Sequence, residues 1–544
     1  MDILIKNGLI IDGTGSKGYH SDVLIKDDEI VKIDTNLEAN GAKIIDANNK
    51  AVSPGFIDIH NHTDFTLFND TKIEPYILQG ATTLVVGMCG LGMAPSNEKL
   101  KKEYFNFLSK AFLSPGVMFD NLQKFFGAIE EKGVSTNFAF FIPQGNVRAC
   151  VLGSEDRPAT AEEMTEMKEI IRENMEAGAF GMSTGLVYPP GSVTPTEELI
   201  ELSKVVSEYD GIYDSHMRNE GSGVIDIGMS EVVRIASEAN IQAHISHWSV
   251  ISKYAYDMTP KVIEYIKNAR KDGLRITADV TVYEHGNTSL SFILLPTWVY
   301  QNFEENLTNP ETRKKILDEI FQKVYSFFMS DAPFYIKLIP KFILRKLLFK
   351  GIAKIDTIIS TTFNHQVEGM TIYEALKTLY PNKSLEDALL DFIKDEDGGI
   401  VMMVKHKDEL KSIIPIFKQE FVSPSSDGLV IKDRNCHPNS FGAFARVLHR
   451  WVREMNILPL EEAIRKMTSL PASILSLPDR GLIKEGYKAD IVIFDPEQIR
   501  EKGTIENGRQ HPEGIDYVIV NGIITAEKGV HLGALNGRVL RHKK

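Results

Sequence analysis

The stretch 54-PGFIDIHNHTD-64 sets two histidines, His60 and His62, two residues apart behind an apolar run. In a β-strand alternate side chains leave the same face, so both imidazoles point one way. At the C-terminal mouth of a barrel strand, such a pair can hold a divalent ion and leave coordination positions open. On its own a His-x-His is a weak signal. Polar residues leaving the end of any strand give the same pattern.

Outward from this pair, further candidate ligands close later strand candidates. Cys89 ends "TTLVVGMC" inside 85-VVGMCGLGMAP-95, with Gly87, Gly90 and Gly92 around it. His216 ends "GIYDSH", His247 ends "IQAHISH", and Asp427 follows in "SPSSDG" ahead of a strand candidate "GLVI". A lone cysteine is ordinarily a small buried hydrophobe. Taken together, imidazoles, a thiolate and a carboxylate at successive strand ends are the donor types zinc takes. His244 lies an odd offset before His247 and belongs to the opposite strand face. His285, His365, His406 and His437 are read as non-ligands.

Between these runs lie amphipathic helices, such as Thr160 to Gly178 with its Thr N-cap, acidic first turn and glycine end. Strands alternating with helices imply a parallel sheet. The two ends of the chain are β-rich. "ILIKNGLIIDG" and "VIVNGIITAEKG" each read as a hairpin turned on Asn-Gly, and "DVLIKDDEIVKI" and "ADIVIFD" supply further strands. We expect one small β-sandwich built from both termini rather than two separate caps. A helix-rich insertion at about 291–401 interrupts the alternation. Within it, residues 334–354 carry six cations and no acid. Such a segment fits a lid or ordinary packing, a dimer contact or an anionic membrane surface.

The chain has 544 residues and a net charge of −13, which argues against general nucleic-acid binding. Its three cysteines, Cys89, Cys150 and Cys436, are too few and scattered for a disulfide framework. No apolar run reaches the ~20 residues of a membrane span, and the N-terminus does not read as a signal peptide. A cytoplasmic setting is the expectation.

At this point the chain resembles the amidohydrolase superfamily, and within it the N-acyl-D-amino-acid deacylase (D-aminoacylase) family. The matching stretches include "VSPGFIDIHNHTD", "TTLVVGMCGLGMAP", "GAFGMSTGLVYPPGS", "YDSHMRNEG", "AHISH", "ADVTVY", "SSDG" and "HPNSFGAFARVLHRWVRE". The resemblance implies a metal-dependent (β/α)8 TIM barrel over 55–474 with the inserted subdomain, and a composite β-sandwich from 1–54 and 475–544. It implies that Cys89, His216 and His247 bind one zinc ion tightly, that His60 and His62 line the other side with room for a second, and that Asp427 is the general acid/base for hydrolysis of a linear N-acyl amine. Cys89 takes the place of a bridging carboxylated lysine, for which no lysine stands at a strand end. Tyr283 and Ser289 match substrate-lining positions. The family's carboxylate-binding Lys and Arg positions read Ser249 and Asn439 here, and Gln144 stands where His is frequent. Arg148, Arg218 or Arg434 are candidates to compensate. With that clamp gone, a small-molecule substrate with a long acyl chain is an option, as is peripheral membrane contact through 334–354. A cyclic-amide hydrolase of the dihydroorotase or hydantoinase type and a non-catalytic interaction protein are the alternatives. The sequence leaves the oligomeric state open.

Overall fold

The computed structural model describes residues 2–105, 117–251, 255–331, 339–353, 356–362 and 364–543. Strands are numbered β1–β20 in chain order. The first five, β1 (Ile3–Ile10), β2 (Tyr19–Lys26), β3 (Glu29–Asp34), β4 (Lys43–Asp46) and β5 (Ala51–Pro54), join the last four, β17 (Ile491–Phe494), β18 (Ile515–Val520), β19 (Ile523–Glu527) and β20 (Val530–His531). All nine form one sheet, in the order β20-β19-β18-β17-β5-β1-β2-β3 with β4 on β1. The join is the antiparallel pairing of β5 with β17, in which Pro54 faces Ile491. Alternating Ile and Val side chains from both termini, among them Ile5, Val23, Val52, Ile491 and Ile519, fill its core. The two ends thus form one composite sheet, not two caps.

The two Asn-Gly pairs behave differently. Asn521 and Gly522 both take positive φ and turn β18 into β19 as a hairpin. Asn7 also has a positive φ, but it makes a bulge within the single strand β1. There the strand continues because β2 and β4 flank it and hold it extended.

The middle of the chain supplies eight parallel strands: β6 (Phe56–Asp58), β7 (Ala81–Val86), β8 (Asn137–Pro143), β9 (Gly181–Gly185), β10 (Ile212–His216), β11 (Gln242–Ile245), β12 (Ile276–Thr281) and β16 (Val422–Ser425). They pair in sequence order around a (β/α)8 barrel. Helices pack outside them, such as Ala161–Glu176, whose Thr160 and Glu163 make a reciprocal capping box. The last barrel strand is "VSPS" before Asp427, and not the "GLVI" that follows it. The seam between β16 and β6 is closed by polar groups: Ser426 N–H donates to Asp58 Oδ1 (2.9 Å), Asp427 N–H to the His60 carbonyl (2.9 Å) and His62 N–H to the Gly428 carbonyl (2.9 Å).

The insertion lies between β12 and β16. It is not purely helical, because β13 (His285–Ser289), β14 (Thr357–Thr361) and β15 (Val401–Lys405) form a three-stranded antiparallel sheet within it. These strands are short and mixed in polarity, so no period-2 pattern marks them. Of the basic segment, residues 334–338 and Lys354 lie outside the described residues. The rest is the helix Lys341–Ala353, which buries Leu344, Phe349 and Ile352 against the subdomain and ties Arg345 to Glu386 (2.9 Å).

Candidate metal centre

Each candidate ligand sits at the C-terminal mouth of a barrel strand. His60 and His62 follow β6, Cys89 follows β7, His216 ends β10, His247 follows β11 and Asp427 follows β16. Three of them, Cys89 (φ 53°), His247 (φ 35°) and Asp427 (φ 48°), adopt left-handed backbone that non-glycine residues rarely take. Such strain persists only where surroundings enforce it, and it concentrates at functional sites. The surroundings are specific. Ser183 on β9 donates its hydroxyl to the Gly87 carbonyl (2.5 Å) and accepts the Gly90 N–H (3.1 Å), which pins the Cys89 loop. A Cβ on Gly185 would stand 2.1 Å from the Cys89 carbonyl oxygen, so only glycine fits there.

Cys89 Sγ lies 3.4 Å from His60 Nε2, 3.6 Å from His247 Nε2 and 3.7 Å from His216 Nδ1. Zinc bonds of about 2.3 Å to sulfur and about 2.05 Å to nitrogen, set tetrahedrally, separate S and N by about 3.6 Å. The donor spacing therefore fits an ion shared by the thiolate and imidazoles. Among the described residues, three overlapping groups have mutually close donor atoms: His60, Cys89 and His247; His60, His62 and Asp427; and His216, Glu220 and His247. Asp427 Oδ1 is 3.3 Å from His62 Nε2 and 3.5 Å from His60 Nε2. Burial alone would raise the Cys89 thiol, but His60, His216 and His247 hold it well below its ordinary value. Burial would likewise strip His60 and His247 of their protons, yet Cys89 with Asp279 or Glu220 raises both well above the usual range. A zinc ion would replace those protons as the thiolate's counter-charge.

Two carboxylates behind the ligands escaped the sequence reading. Glu220, four residues past His216, is buried with Oε1 3.2 Å from His247 Nδ1. Asp279, inside β12, accepts the His247 N–H (3.0 Å) and the Ser425 hydroxyl, and lies 3.6 Å from His60 Nδ1. An acid at an alternate position of an apolar strand was the available signal for Asp279. Such partners fix the ring orientation of a ligating histidine. His244 is not on the far face that its offset implies. β11 ends at Ile245, so strict alternation does not carry to His247, and the His244 ring bonds Thr277 Oγ1 (2.8 Å) and Asp279 Oδ2 (3.2 Å), the carboxylate that also lies beside His60.

The centre opens into a cavity of about 690 Å³. His62, Cys89, His216, His247, Glu220 and Asp427 line one part of it, and Ser289 another, its hydroxyl buried without a partner. Other expected substrate residues lie elsewhere. Arg148 is completely buried in the helix Gln144–Leu152, paired with Glu198 (2.6 Å) and the Arg157 carbonyl, and does not line the cavity. Sequence gives no way to see that an interior helix face consumes its charge. Arg218 does line the cavity but is bound by Glu231 (2.9 Å), and Arg434 is paired with Glu368 (3.1 Å). Tyr283 stacks under Arg446 and against His437 outside the cavity lining. Asn439 reaches the Asp427 carbonyl (3.5 Å), supporting its backbone. His406 and His437 bond the Val404 carbonyl and the Asn439 N–H, and the His365 side chain lies outside the described residues.

Residues 422–526 match the model described as "Amidohydrolase family". The chain is 29% identical to a D-aminoacylase of Alcaligenes xylosoxydans xylosoxydans, over 99% of this chain and 97% of that one. A D-aminoacylase crystal structure superposes with a TM-score of 0.81 at 27% identity, over 99% of both chains. The N-acyl-D-glutamate deacylase of Bordetella bronchiseptica, solved with zinc and a phosphonate mimic of its tetrahedral intermediate, gives 0.80 at 26%, again over 99% of both. Over its full length the chain is thus similar to N-acyl-D-amino-acid deacylases in sequence and in fold.

This geometry ranks the residues by their hold on zinc. Glu220→Gln should weaken zinc affinity about 10–100-fold, the loss typical of a ligand's supporting partner. Cys89→Ala should cost more than that, whereas Cys150→Ala keeps the wild-type zinc content. Competition with a chromophoric chelator, with metal analysis of the dialysed protein, measures all three.

Proposed function

We propose that this protein is a zinc-dependent hydrolase of linear amides, acting on an N-acyl amino acid or related N-acyl amine, with the D-series favoured by its relatives. The observation that carries the reading is the convergence of Cys89, His216, His247, His60 and His62 on one mouth with Asp427 beside them. Cys89, His216 and His247 would hold the tighter ion, and His60 and His62 would help to hold a second. When bound, zinc lowers the pKa of water to about 7 and polarises the scissile carbonyl. Asp427 is the general acid/base. Burial opposes its charge, but the His62 hydrogen bond and the charges of His60 and His247 keep its carboxyl below the usual range. It is thus ionised at neutral pH, ready to take a proton from water and return it to the leaving nitrogen.

The acyl side of the substrate is read from the cavity wall. Leu290, Phe292, Ile293, Ile352, Val401 and Met402, all from the insertion, make it apolar. Its volume is in the roughly 300–1,000 Å³ range of sites for drug-sized ligands, far beyond an acetyl group's need. A long acyl chain fits this wall. The three cysteines are unpaired and buried, in keeping with a reducing cytoplasmic setting. No helix among the described residues is long and apolar enough to cross a membrane. On the helix Lys341–Ala353, however, Phe342, Ile343 and Leu347 are exposed beside Lys341, Lys346 and Lys350. That face suits peripheral contact with an anionic lipid surface, from which an acyl substrate would be drawn.

Asp427→Asn should retain zinc and lose about 10²–10⁴-fold in turnover; near-wild-type turnover removes Asp427 from its role. In a panel of N-acyl amino acids in both stereochemical series, each added methylene should raise kcat/KM roughly fourfold, from about 0.8 kcal/mol of burial, until the cavity is full. A flat profile refutes the acyl-chain reading. Phe342→Ser with Leu347→Ser should reduce co-sedimentation with anionic liposomes, and equal pelleting rules the helix out as a membrane contact.

A further inference from the structure

The mouth of the barrel gathers acids. Asp427, Glu220 and Asp279 converge there. One cation nevertheless reaches the mouth, from an unrelated part of the chain. Lys407 lies just past β15, where the insertion returns to the barrel, and lines the cavity with the ligand residues. It is 5% exposed. Its backbone N–H is fixed to the Glu284 carbonyl (3.1 Å) and its ammonium donates to Thr281 Oγ1 (2.7 Å), at the C-terminal end of β12. Among the described residues that hydroxyl is its one hydrogen-bond partner, and no carboxylate lies within ion-pair distance. An ammonium has three donors, and a buried one without a counter-ion is costly.

The segment carrying Lys407 is also docked on the loop that follows β11. Ser412 Oγ accepts the Val250 N–H (2.9 Å) and donates to the Val250 carbonyl (3.0 Å), next to Ser249. The other cavity cations are committed differently. Arg218 is saturated by Glu231 and by the carbonyls of Ser192 and Thr194. Lys323 rises from the helix Pro310–Asp331 of the insertion and donates to the Ile293 carbonyl (2.6 Å).

The geometry points to Lys407 as the residue that binds a carboxylate on the amine half of the substrate, a cation supplied by the returning end of the insertion. This rests on the N-acyl amino acid reading above. The substrate's carboxylate occupies the open donors of the ammonium, which leaves the acyl chain to the apolar wall. The enzyme then selects acidic over neutral amine halves although its mouth is acid-rich.

The test compares N-acyl amino acids with their carboxamide analogues, in wild type, Lys407→Met and Lys407→Arg, with zinc content and thermal melting checked for each. The wild type should prefer the acid. In Lys407→Met that preference should fall about 10–100-fold through a higher KM for the acid, the loss expected for a hydrogen bond to a charged group. Lys407→Arg should restore part of it. An unchanged acid-to-amide ratio in a folded, zinc-loaded Lys407→Met overturns the assignment, as does a wild type with no preference. Should Lys407→Met fail to fold, an unchanged ratio in a folded, zinc-loaded Lys407→Gln overturns it equally. If the wild type hydrolyses neither substrate, the deacylase reading fails instead.

Discussion

The barrel closes where its first strand meets its last, and that seam is polar. Asp58 takes the Ser426 N–H on one oxygen and the Ser426 hydroxyl and the Asn61 amide on the other. Burial pushes its carboxyl up to about 6 against these hydrogen bonds. Beyond Asp58 and Ser426, backbone bonds join His60 to Asp427 and His62 to Gly428. The same few bonds therefore shut the cylinder and set the two histidines against the acid. The site's geometry depends on that closure, because Asp427 lies 3.3 Å from His62 only where β16 completes the ring.

The sequence made the strand ends legible because a barrel places its polar residues there at regular intervals along an apolar background. His60, His62, Cys89, His216, His247 and Asp427 all emerge where such runs stop. The strand "GMSTG" had no such background and is recognisable only by its pairing with β8 and β10. Before Asp427, "VSPS" lacks the apolar run that made "GLVI" the more visible candidate. Asn7 shows the limit of turn chemistry: a residue that accepts positive φ serves a bulge as readily as a hairpin. Side-chain commitments were the least legible of all. Nothing local distinguishes Arg148, spent on Glu198, from Lys407, whose ammonium has Thr281 as its one hydrogen-bond partner among the described residues.

The insertion is the part of the molecule that makes this barrel particular. It leaves after β12 and returns before β16, two neighbouring strands, so it sits over the mouth without disturbing the register of the ring. Its sheet of β13, β15 and β14 gives the cavity an apolar wall, and its last residues bring a buried ammonium to the metal end. The candidate ligands and Asp427 come from the barrel, and the apolar cavity wall comes from the insertion. The insertion can then vary without disturbing the catalytic centre.

The composite sheet has a consequence for how the chain is made. β5 finds its partner β17 only after the whole barrel has been synthesised, since Pro54 pairs with Ile491. Until then β5 presents an unpaired edge, and Val52 has only part of its eventual core. Pairing over so long a loop is slow, and exposed edges invite association between nascent chains. Production of this protein in a foreign host should therefore respond to slower synthesis and added chaperone more than to changes in the barrel itself.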